Sequence, residues 1–460
     1  MASRGNFSGK LGFIAAAAGS AVGLGNIWGF PYEAGAGGGG IFVLVYLFFC
    51  FALCFPVMLT EIAIGRKSER NAVGAFDALG YGKWRFIGKL GILSGVLILS
   101  FYNVIAGWAL GYTIEMGSGN FAIAEDFSAF TSDVYKVGTF GFLFMVATAL
   151  IVSKGISGGI EKAARFLMPA LVIMMIGLVI YAGTLLNALS GLTFYLLPDF
   201  TKLSFEVVFN AMGQAFFSLS LGMGALITFG SYVRKQDNLV SSAILITFAD
   251  VGIAFLAGLV IFPFIGYMSG GDLVGVGRGP QHIFVTLPGI FEDIGGITGA
   301  FLGTCFFALL CFAALTSTVS LLEVPVSYLV DEKKIKRNHA SWLMAGIVYV
   351  VGIPSLIGNG YSPFFTEFIT YFNTQTSTDF LSFIVNLAND SFLPLGGCLI
   401  VFFAVHIWKK ENLDAEIAIG NPGYEKSFIR KYLNFVLPFI MPVALAAILI
   451  MTILVTFFGF

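Results

Sequence analysis

The sequence predicts an all-α membrane protein with eleven transmembrane helices. Of its 460 residues, 57% are hydrophobic and only 11% are charged, and the mean hydropathy is +0.90. A chain with so little polar surface cannot cover a water-soluble globule. Apolar runs of about 20 residues, the length a helix needs to cross roughly 30 Å of hydrocarbon, recur along the whole sequence. The basic residues are also concentrated in every second loop, as the positive-inside rule requires.

The predicted spans follow one another with short polar loops between them. This spacing leaves no room for a separate soluble domain, so residues 1–460 are predicted to form a single transmembrane domain. The spans are expected near residues 10–33, 39–66, 84–116, 138–154, 161–187, 207–232, 239–268, 297–330, 340–358, 380–408 and 431–458.

The basic residues predict the orientation of the chain. With the N-terminus in the cytoplasm, only Lys136, Lys202 and Arg278 fall on the outer side, and the other 22 of the 25 lysines and arginines are cytoplasmic. A wrong number of spans would scramble this bias. We therefore expect a multi-pass protein of the cell inner (plasma) membrane, with a cytoplasmic N-terminus and an extracytoplasmic C-terminus.

Several classes of function have no support in the sequence. The five cysteines lie in apolar spans without metal-ligand spacing, so we interpret them as small hydrophobic residues. No Gly-x-x-x-x-Gly-Lys-Ser/Thr run for nucleotide phosphates is present, and no repeated polar rings line a channel pore. The net charge of −1 gives no reason to expect a nucleic-acid partner. No catalytic residue is predicted, and the chain is not expected to be an enzyme.

Glycine-rich segments interrupt two of the predicted spans. Residues 18–26 of the first span read AGSAVGLGN, and residues 218–224 of the sixth read SLSLGMG. Glycines that help helices pack recur every four residues on one face, whereas the central glycines in both segments stand two residues apart. Interrupted helices are tolerated in lipid only where the freed backbone groups line a polar cavity. Both segments therefore predict helix breaks at a midplane binding site.

The two breaks lie five spans apart, which predicts two inverted five-helix repeats. Residues 10–187 would form the first repeat, residues 207–408 the second, and residues 431–458 an additional span. In such an arrangement the N-termini of half-helices face an anionic group, and unwound carbonyl groups hold a cation.

Several long motifs, in order along the chain, carry a resemblance to a known family. Residues 18–31 read AGSAVGLGNIWGFP, residues 213–225 read GQAFFSLSLGMGA, residues 231–235 read SYVRK, and residues 313–317 read AALTS. This set resembles the neurotransmitter:sodium symporter family across all eleven spans, in the short form of bacterial amino-acid transporters. The resemblance implies sodium-coupled symport of an amino acid by alternating access.

The resemblance implies two sodium sites. The first would be shared with the substrate carboxylate, with ligands from Ala21, Asn26, Ser218 and Asp250. Asp250 is one of few acids deep in a predicted span, and a buried anion in hydrocarbon needs a cation. The second site would consist of neutral oxygens. Its ligands would come from Gly19, Val22, Ala313, Thr316 and Ser317. Serine and threonine hydroxyls in membrane helices also commonly bond to their own backbone, and that alternative stays open.

The resemblance also places a substrate site between the two breaks. The substrate carboxylate would lie against the N–H groups of Leu24 and Gly25 and the Tyr102 hydroxyl, and its ammonium would face carbonyl groups at the breaks. Monoamine transporters carry an aspartate where this chain has Gly23, so an amino acid is expected rather than an amine. The expected substrate-binding residues are Ser20, Ala21, Leu24, Gly25, Ile98, Tyr102, Phe217, Ser218, Ser220, Met223 and Leu321.

Three residues predict the selectivity and the ion requirement. Met223 stands where relatives of narrower specificity often have phenylalanine, and its flexible thioether predicts a hydrophobic or aromatic L-amino acid. Part of the family's chloride-binding set is present, but Ala254 takes the place of a serine. Because Asp250 already supplies the negative charge that balances sodium, transport is expected to be independent of chloride.

The gates follow the family's pattern on one side only. Arg4 and Asp331 resemble the cytoplasmic gate pair, although both also fit solvated helix ends. On the outer side, Gly29 replaces the usual arginine, so the external salt bridge cannot form in its usual way. Asp379 and Asp390 are alternative remnants of its acidic half. Closure is expected to depend more on the packing of aromatic side chains.

Two alternatives to amino-acid symport remain. Within transporters, the substrate could be another small zwitterion or osmolyte. From a different class, the chain could be a non-transporting amino-acid sensor on the same scaffold. In every case the expected partners are a small molecule and the lipid bilayer.

Overall fold

A computed structural model describes residues 5–124, 126–270, 281–373 and 376–459. Within these ranges the regular structure is helical, apart from an isolated antiparallel bridge between Ile369 and Thr378. Arg4 and Arg278 lie outside the described residues.

Nine helices in the described part of the chain are each long and apolar enough to cross a membrane. We number the membrane helices and the halves of the broken ones in chain order. They are α1 (Lys10–Ala21), α2 (Gly25–Ala36), α3 (Gly40–Ser68), α4 (Gly82–Gly117), α5 (Val134–Ser153), α6 (Ile156–Ala182), α7 (Phe205–Ser218), α8 (Ala225–Gly230), α9 (Leu239–Met268), α10 (Gly296–Asp331), α11 (Arg337–Ile357), α12 (Phe380–Ile407) and α13 (Phe428–Phe458).

Two predicted spans are each present as a pair of shorter helices. α1 and α2 pass the length and hydropathy test together, which gives up to ten spans by these criteria. The span predicted near residues 207–232 is present as α7 and α8, which are too short to pass the test. The remaining nine predicted spans each have a helix at the expected place in the chain.

The long helices differ in how much of their surface other helices cover. In the most apolar segments of α4 and α10, 72% of the residues are buried, whereas in α13 only 22% are. α4 packs along α10, and α1 lies against α9 and α10. On α13, Phe439 and Val443 are exposed. Uncovered apolar faces of this kind suit helices whose outer surface contacts lipid.

The first break separates α1 from α2 at residues 22–24. α1 ends at Ala21, and Val22 has an extended backbone with φ −67° and ψ 110°. α2 then begins with a π-helical turn at Gly25–Gly29, and the axes of α1 and α2 differ by 54°. The Val22 carbonyl and the N–H groups of Gly23 and Leu24 bond to side chains instead of to the helical backbone.

The second break separates α7 from α8 at residues 219–224. Gly222 and Gly224 have φ values of +82° and +75°, in the left-handed region that favours glycine. A Cβ atom at Gly222 would also lie 2.3 Å from the carbonyl oxygen of Leu393 on α12. Both the backbone conformation and the close approach of α12 therefore require glycine here.

A buried carboxylate accepts one of the N–H groups freed at the second break. Glu61 on α3 is fully buried, and its Oε1 accepts a hydrogen bond of 2.8 Å from the N–H of Gly222. An unpaired buried N–H would destabilise the protein by roughly 1–3 kcal/mol. Glu61 thus stabilises the non-helical backbone of the second break.

Candidate functional site

A buried cavity lies between the two breaks, and we call it the central cavity. Its walls come from α1, α2, α4, α7 and α10 and from both breaks. The lining residues are Ser20, Ala21, Gly23, Gly25, Ile98, Tyr102, Phe217, Ser218, Ser220, Met223, Ser317 and Leu321. Every residue predicted to bind substrate lines this cavity except Leu24.

Leu24 does not line the central cavity but bonds to Tyr102, which does. The N–H of Leu24 donates a hydrogen bond of 2.7 Å to the Tyr102 hydroxyl, and both side chains are buried. The N–H group of Leu24 thus lies beside a hydroxyl of the cavity wall. The ring of Phe217, another lining residue, packs over Gly25, where a Cβ atom would lie 2.8 Å from Cε1 of the ring.

The space around Gly23 has no room for a side chain. A Cβ atom at this position would lie 2.6 Å from both the Tyr102 hydroxyl and the Ser317 Oγ. Real Cβ atoms do not approach polar atoms so closely, so any substitution must displace one of these two groups. An aspartate here would have to move the wall of the central cavity.

Three of the residues expected at the first sodium site form one buried hydrogen-bond network. Asn26 Nδ2 donates to Asp250 Oδ1 at 2.7 Å and to Ser218 Oγ at 2.9 Å. Ser218 Oγ in turn donates to Asp250 Oδ2 at 2.9 Å. Tyr46 on α3 adds a hydrogen bond of 3.2 Å to Ser218. Ala21, the fourth expected ligand, lines the adjoining central cavity.

The residues expected at the second sodium site meet where α10 passes the first break. Ser317 Oγ donates to the Val22 carbonyl at 3.1 Å, and Thr316 Oγ1 lies 3.5 Å from the same oxygen. Thr316 Oγ1 also donates to the Ala313 carbonyl at 2.9 Å, the local backbone bond that membrane helices often show. A Cβ atom at Gly19 would lie 3.2 Å from Thr316 Cβ, so α1 and α10 are in close contact here.

Both groups of residues have the chemistry that a hard monovalent cation requires. The first offers a carboxylate, an amide and a hydroxyl, and the second offers hydroxyls and backbone carbonyls. Among the described residues, no group of three His, Cys, Asp or Glu side chains could hold a metal ion. Oxygen donors with a single carboxylate fit sodium better than a transition metal, which prefers nitrogen or sulfur ligands.

Of the two residues predicted to form a cytoplasmic gate, Asp331 lies in the described part of the chain. Asp331 at the end of α10 is buried and accepts hydrogen bonds from the backbone and side-chain nitrogens of Asn71, at 3.1 and 3.2 Å. Its predicted partner Arg4 lies outside the described residues. Close to the start of α1, Phe7 is buried among Phe13, Phe229 and Tyr232, with ring centroids 5.6–6.2 Å apart.

A second cavity, here called the outer cavity, adjoins the central cavity. Phe217 and Tyr102 line both cavities, so their rings form part of the wall between them. Gly29 also lines the outer cavity, and none of the described residues that line it is charged. The nearest side chain to a Cβ atom at Gly29 is that of Gln214, at 3.6 Å.

The two acids considered for the outer gate are engaged elsewhere. Asp379 caps the start of α12 by accepting hydrogen bonds from the N–H and hydroxyl of Ser382. Asp390 accepts a hydrogen bond of 3.1 Å from Thr456 on α13. Neither carboxylate lines the outer cavity at Gly29.

Sequence reasoning missed two features of this site. Glu61 was not singled out, although a lone acid in an apolar span is the same signal that identified Asp250. Ser317 lines the central cavity as well as contacting Val22, so it belongs to the substrate region in addition to the expected ion site. No pattern in the sequence shows that Ser317 lines the cavity in addition to contacting Val22.

Known proteins resemble this chain over nearly its full length. The profile of the sodium:neurotransmitter symporter family matches residues 4–126 and 125–394. An uncharacterized sodium-dependent transporter of Bacillus subtilis, YhdH, is 34% identical over 446 residues, which cover 95% of each chain. An uncharacterized sodium-dependent transporter of Haemophilus influenzae is 32% identical, over 97% of this chain and 98% of that protein.

A more distant relative and a solved structure extend this comparison. The human sodium- and chloride-dependent GABA transporter 2 is 27% identical, over 77% of this chain and 67% of that protein. The crystal structure of MhsT in complex with L-phenylalanine aligns with a TM-score of 0.86 at 39% identity. That alignment covers 98% of this chain and 100% of the MhsT chain.

Proposed function

Because the chain belongs to the sodium:neurotransmitter symporter family, we propose that it carries a hydrophobic or aromatic L-amino acid into the cell together with sodium. The central cavity is the observation that carries this proposal. It combines backbone groups of the breaks and the hydroxyls of Tyr102 and four serines with a set of large apolar side chains. A zwitterion with an apolar side chain matches that division.

The polar end of the central cavity would bind the backbone of the amino acid. The carboxylate would lie against the N–H groups of Leu24 and Gly25 and the hydroxyl of Tyr102. The ammonium group would face backbone carbonyls at the breaks. Gly23 supports an amino acid over an amine, because an aspartate that could pair with an amine has no room there.

The apolar part would hold the side chain between Ile98, Phe217, Met223 and Leu321. These residues come from four different elements, so the volume between them depends on the packing of the whole bundle. Met223 can change its rotamer at low cost, which favours several large side chains over one shape. That MhsT crystallised with L-phenylalanine supports the same size class.

Sodium would bind as the co-substrate at two places. Asp250, Asn26 and Ser218 would hold one ion next to the substrate carboxylate. Thr316 and Ser317, with backbone carbonyls of Gly19, Val22 and Ala313, would hold the other. At the first site the ion would replace hydrogen bonds within a buried network, so the carboxylate would remain paired throughout.

Two sodium ions would supply enough free energy for concentrative uptake. A membrane potential of about 100 mV contributes roughly 4.6 kcal/mol for two charges. A tenfold sodium gradient adds roughly 1.4 kcal/mol for each ion. Access would alternate between the two sides of the membrane, and Phe217 and Tyr102 would separate the substrate from the outer cavity.

The proposal is tested with the purified protein in proteoliposomes. Labelled leucine, tyrosine and tryptophan are offered with an inward sodium gradient or with choline in its place, and we expect saturable uptake with sodium only. Uptake confined to glycine, alanine or charged amino acids would contradict the proposed side-chain class. Sodium-dependent uptake of betaine alone would indicate an osmolyte transporter. Thermal stabilisation by amino acids without any uptake would indicate a sensor.

A further inference from the structure

Five hydroxyl groups line the central cavity, and one of them lacks a hydrogen-bond partner. The hydroxyls of Tyr102, Ser218, Ser220 and Ser317 all bond to other groups of the protein. The fifth, Ser20 Oγ, has no partner among the described residues, although its side chain is only 2% exposed. A buried hydroxyl in this condition destabilises the protein unless a bound molecule supplies the partner.

Ser20 also departs from what other serines of this chain do. A serine inside a helix usually donates to a carbonyl three or four residues earlier. Ser100, Ser320 and Ser327 do so, at 2.7, 2.8 and 2.8 Å. Ser20 lies in the last turn of α1, where the same kind of backbone carbonyl precedes it. Thr228, Ser269 and Ser355 also have buried hydroxyls without a partner among the described residues, but none of these three lines the central cavity, as Ser20 does.

Ser20 lies where the first break begins, next to the second break. It is the last residue but one of α1, whereas Leu24 and Gly25, which would hold the substrate carboxylate, lie at the other end of the first break and at the start of α2. The Ser20 carbonyl accepts a hydrogen bond of 3.1 Å from Ser220 Oγ, so this residue sits where the two breaks meet. Ser317 Oγ lies 3.5 Å from the same carbonyl, and the lining of the cavity also includes apolar side chains such as Met223.

We propose that Ser20 Oγ binds a hydrogen-bonding group on the side chain of the transported amino acid. The preferred substrates are then large apolar amino acids that carry one such group, as the phenol of tyrosine and the indole of tryptophan do. This inference rests on the proposed function and names its substrate class. A site that pairs a substrate hydroxyl rejects the analogue without it, because its own polar group is then left buried and unpaired.

The same hydroxyl could instead face the ammonium group that all amino acids share. Removing it would then weaken every substrate by the same factor. Removing a side-chain partner weakens only the substrates that carry the hydrogen-bonding group. The ratio between a pair of matched substrates separates the two roles.

The test measures how tyrosine and phenylalanine inhibit sodium-dependent uptake of labelled leucine in proteoliposomes. In the native protein we expect tyrosine to bind more tightly than phenylalanine and than 4-methylphenylalanine, in which a methyl group of similar size replaces the hydroxyl. In Ser20→Ala we expect the affinity for tyrosine to fall about tenfold, with phenylalanine changed less than twofold.

Ser220→Ala is the matched control, because it removes a second serine hydroxyl from the same cavity. The Ser220 hydroxyl already has a partner, so this variant should weaken tyrosine and phenylalanine equally. A tyrosine-to-phenylalanine ratio that is the same in Ser20→Ala and in the native protein would overturn the inference. A native preference for 4-methylphenylalanine over tyrosine would overturn it without any variant. Failure of the native protein to take up any amino acid would instead contradict the proposed function itself.

Discussion

The side-chain nitrogen of Asn26 lies 2.7 Å from Oδ1 of Asp250, which bonds the start of α2 directly to α9. Both residues are fully buried, so the Asp250 carboxyl group is shielded from water. A buried carboxylate gains more from a cation than from neutral donors, because the local dielectric is low. A cation bound at this pair would therefore change the contact between α2 and α9 directly.

Asp250 leads us to expect transport without chloride. Ala254, one turn further along α9, is buried and offers no donor to an anion, and a second anion beside the carboxylate would be repelled by several kcal/mol. Uptake by the native protein should be unchanged when gluconate replaces chloride. Asp250→Asn should lose most of its uptake in gluconate, whereas Asp199→Asn, at an exposed acid, should not. Loss of native uptake without chloride, or full activity of Asp250→Asn in gluconate, would refute this role.

Thr316 and Ser317 are predicted to set the affinity for sodium. Replacing both by alanine removes the two hydroxyls that face the Val22 carbonyl, and we expect the sodium concentration for half-maximal uptake to rise at least about tenfold. Ser320→Ala is the control, since Ser320 is buried on the same helix but donates to its own backbone. Unchanged sodium activation in the double variant would exclude the second sodium site.

Gly23 should tolerate no side chain. In Gly23→Ala the new methyl group would displace the Tyr102 hydroxyl or Ser317, so we expect kcat/KM for uptake to fall at least about tenfold, or roughly 1.4 kcal/mol. In Gly177→Ala a methyl group meets nothing within 4 Å, so uptake should match the native protein. Equal activity of the two variants would show that the wall of the central cavity yields more easily than its geometry indicates.

Glu61 is predicted to stabilise the second break. Glu61→Ala leaves the N–H of Gly222 unpaired, which should destabilise the protein by about 1–3 kcal/mol and lower its thermal unfolding temperature together with uptake. Glu61→Gln keeps an acceptor of the same length and should retain more of both. If alanine and glutamine behave alike, the hydrogen bond to Gly222 is not what Glu61 contributes.

Much of this protein could be predicted from local patterns in the sequence. Helix length and hydropathy indicated the membrane class and the place of the long helices, because lipid imposes both on each segment separately. The glycine spacing indicated the two breaks, since a backbone conformation that favours glycine, such as the positive φ of Gly222, leaves a glycine at that place in the sequence. The motifs around these breaks contain eight of the twelve residues that line the central cavity, and the family resemblance implied Ile98, Tyr102 and Leu321.

Only the tertiary structure decided how distant residues meet. Glu61 and Gly222 are 161 positions apart, and no local pattern pairs them. The space denied to a side chain at Gly23 depends on Tyr102 and Ser317, which two other helices supply. The sequence also could not show that the Ser20 hydroxyl lacks a partner, because a serine's hydrogen bonds depend on the groups around it. Hydropathy and glycine content act on one segment at a time, whereas hydrogen bonding and close packing between helices depend on the arrangement of the whole bundle.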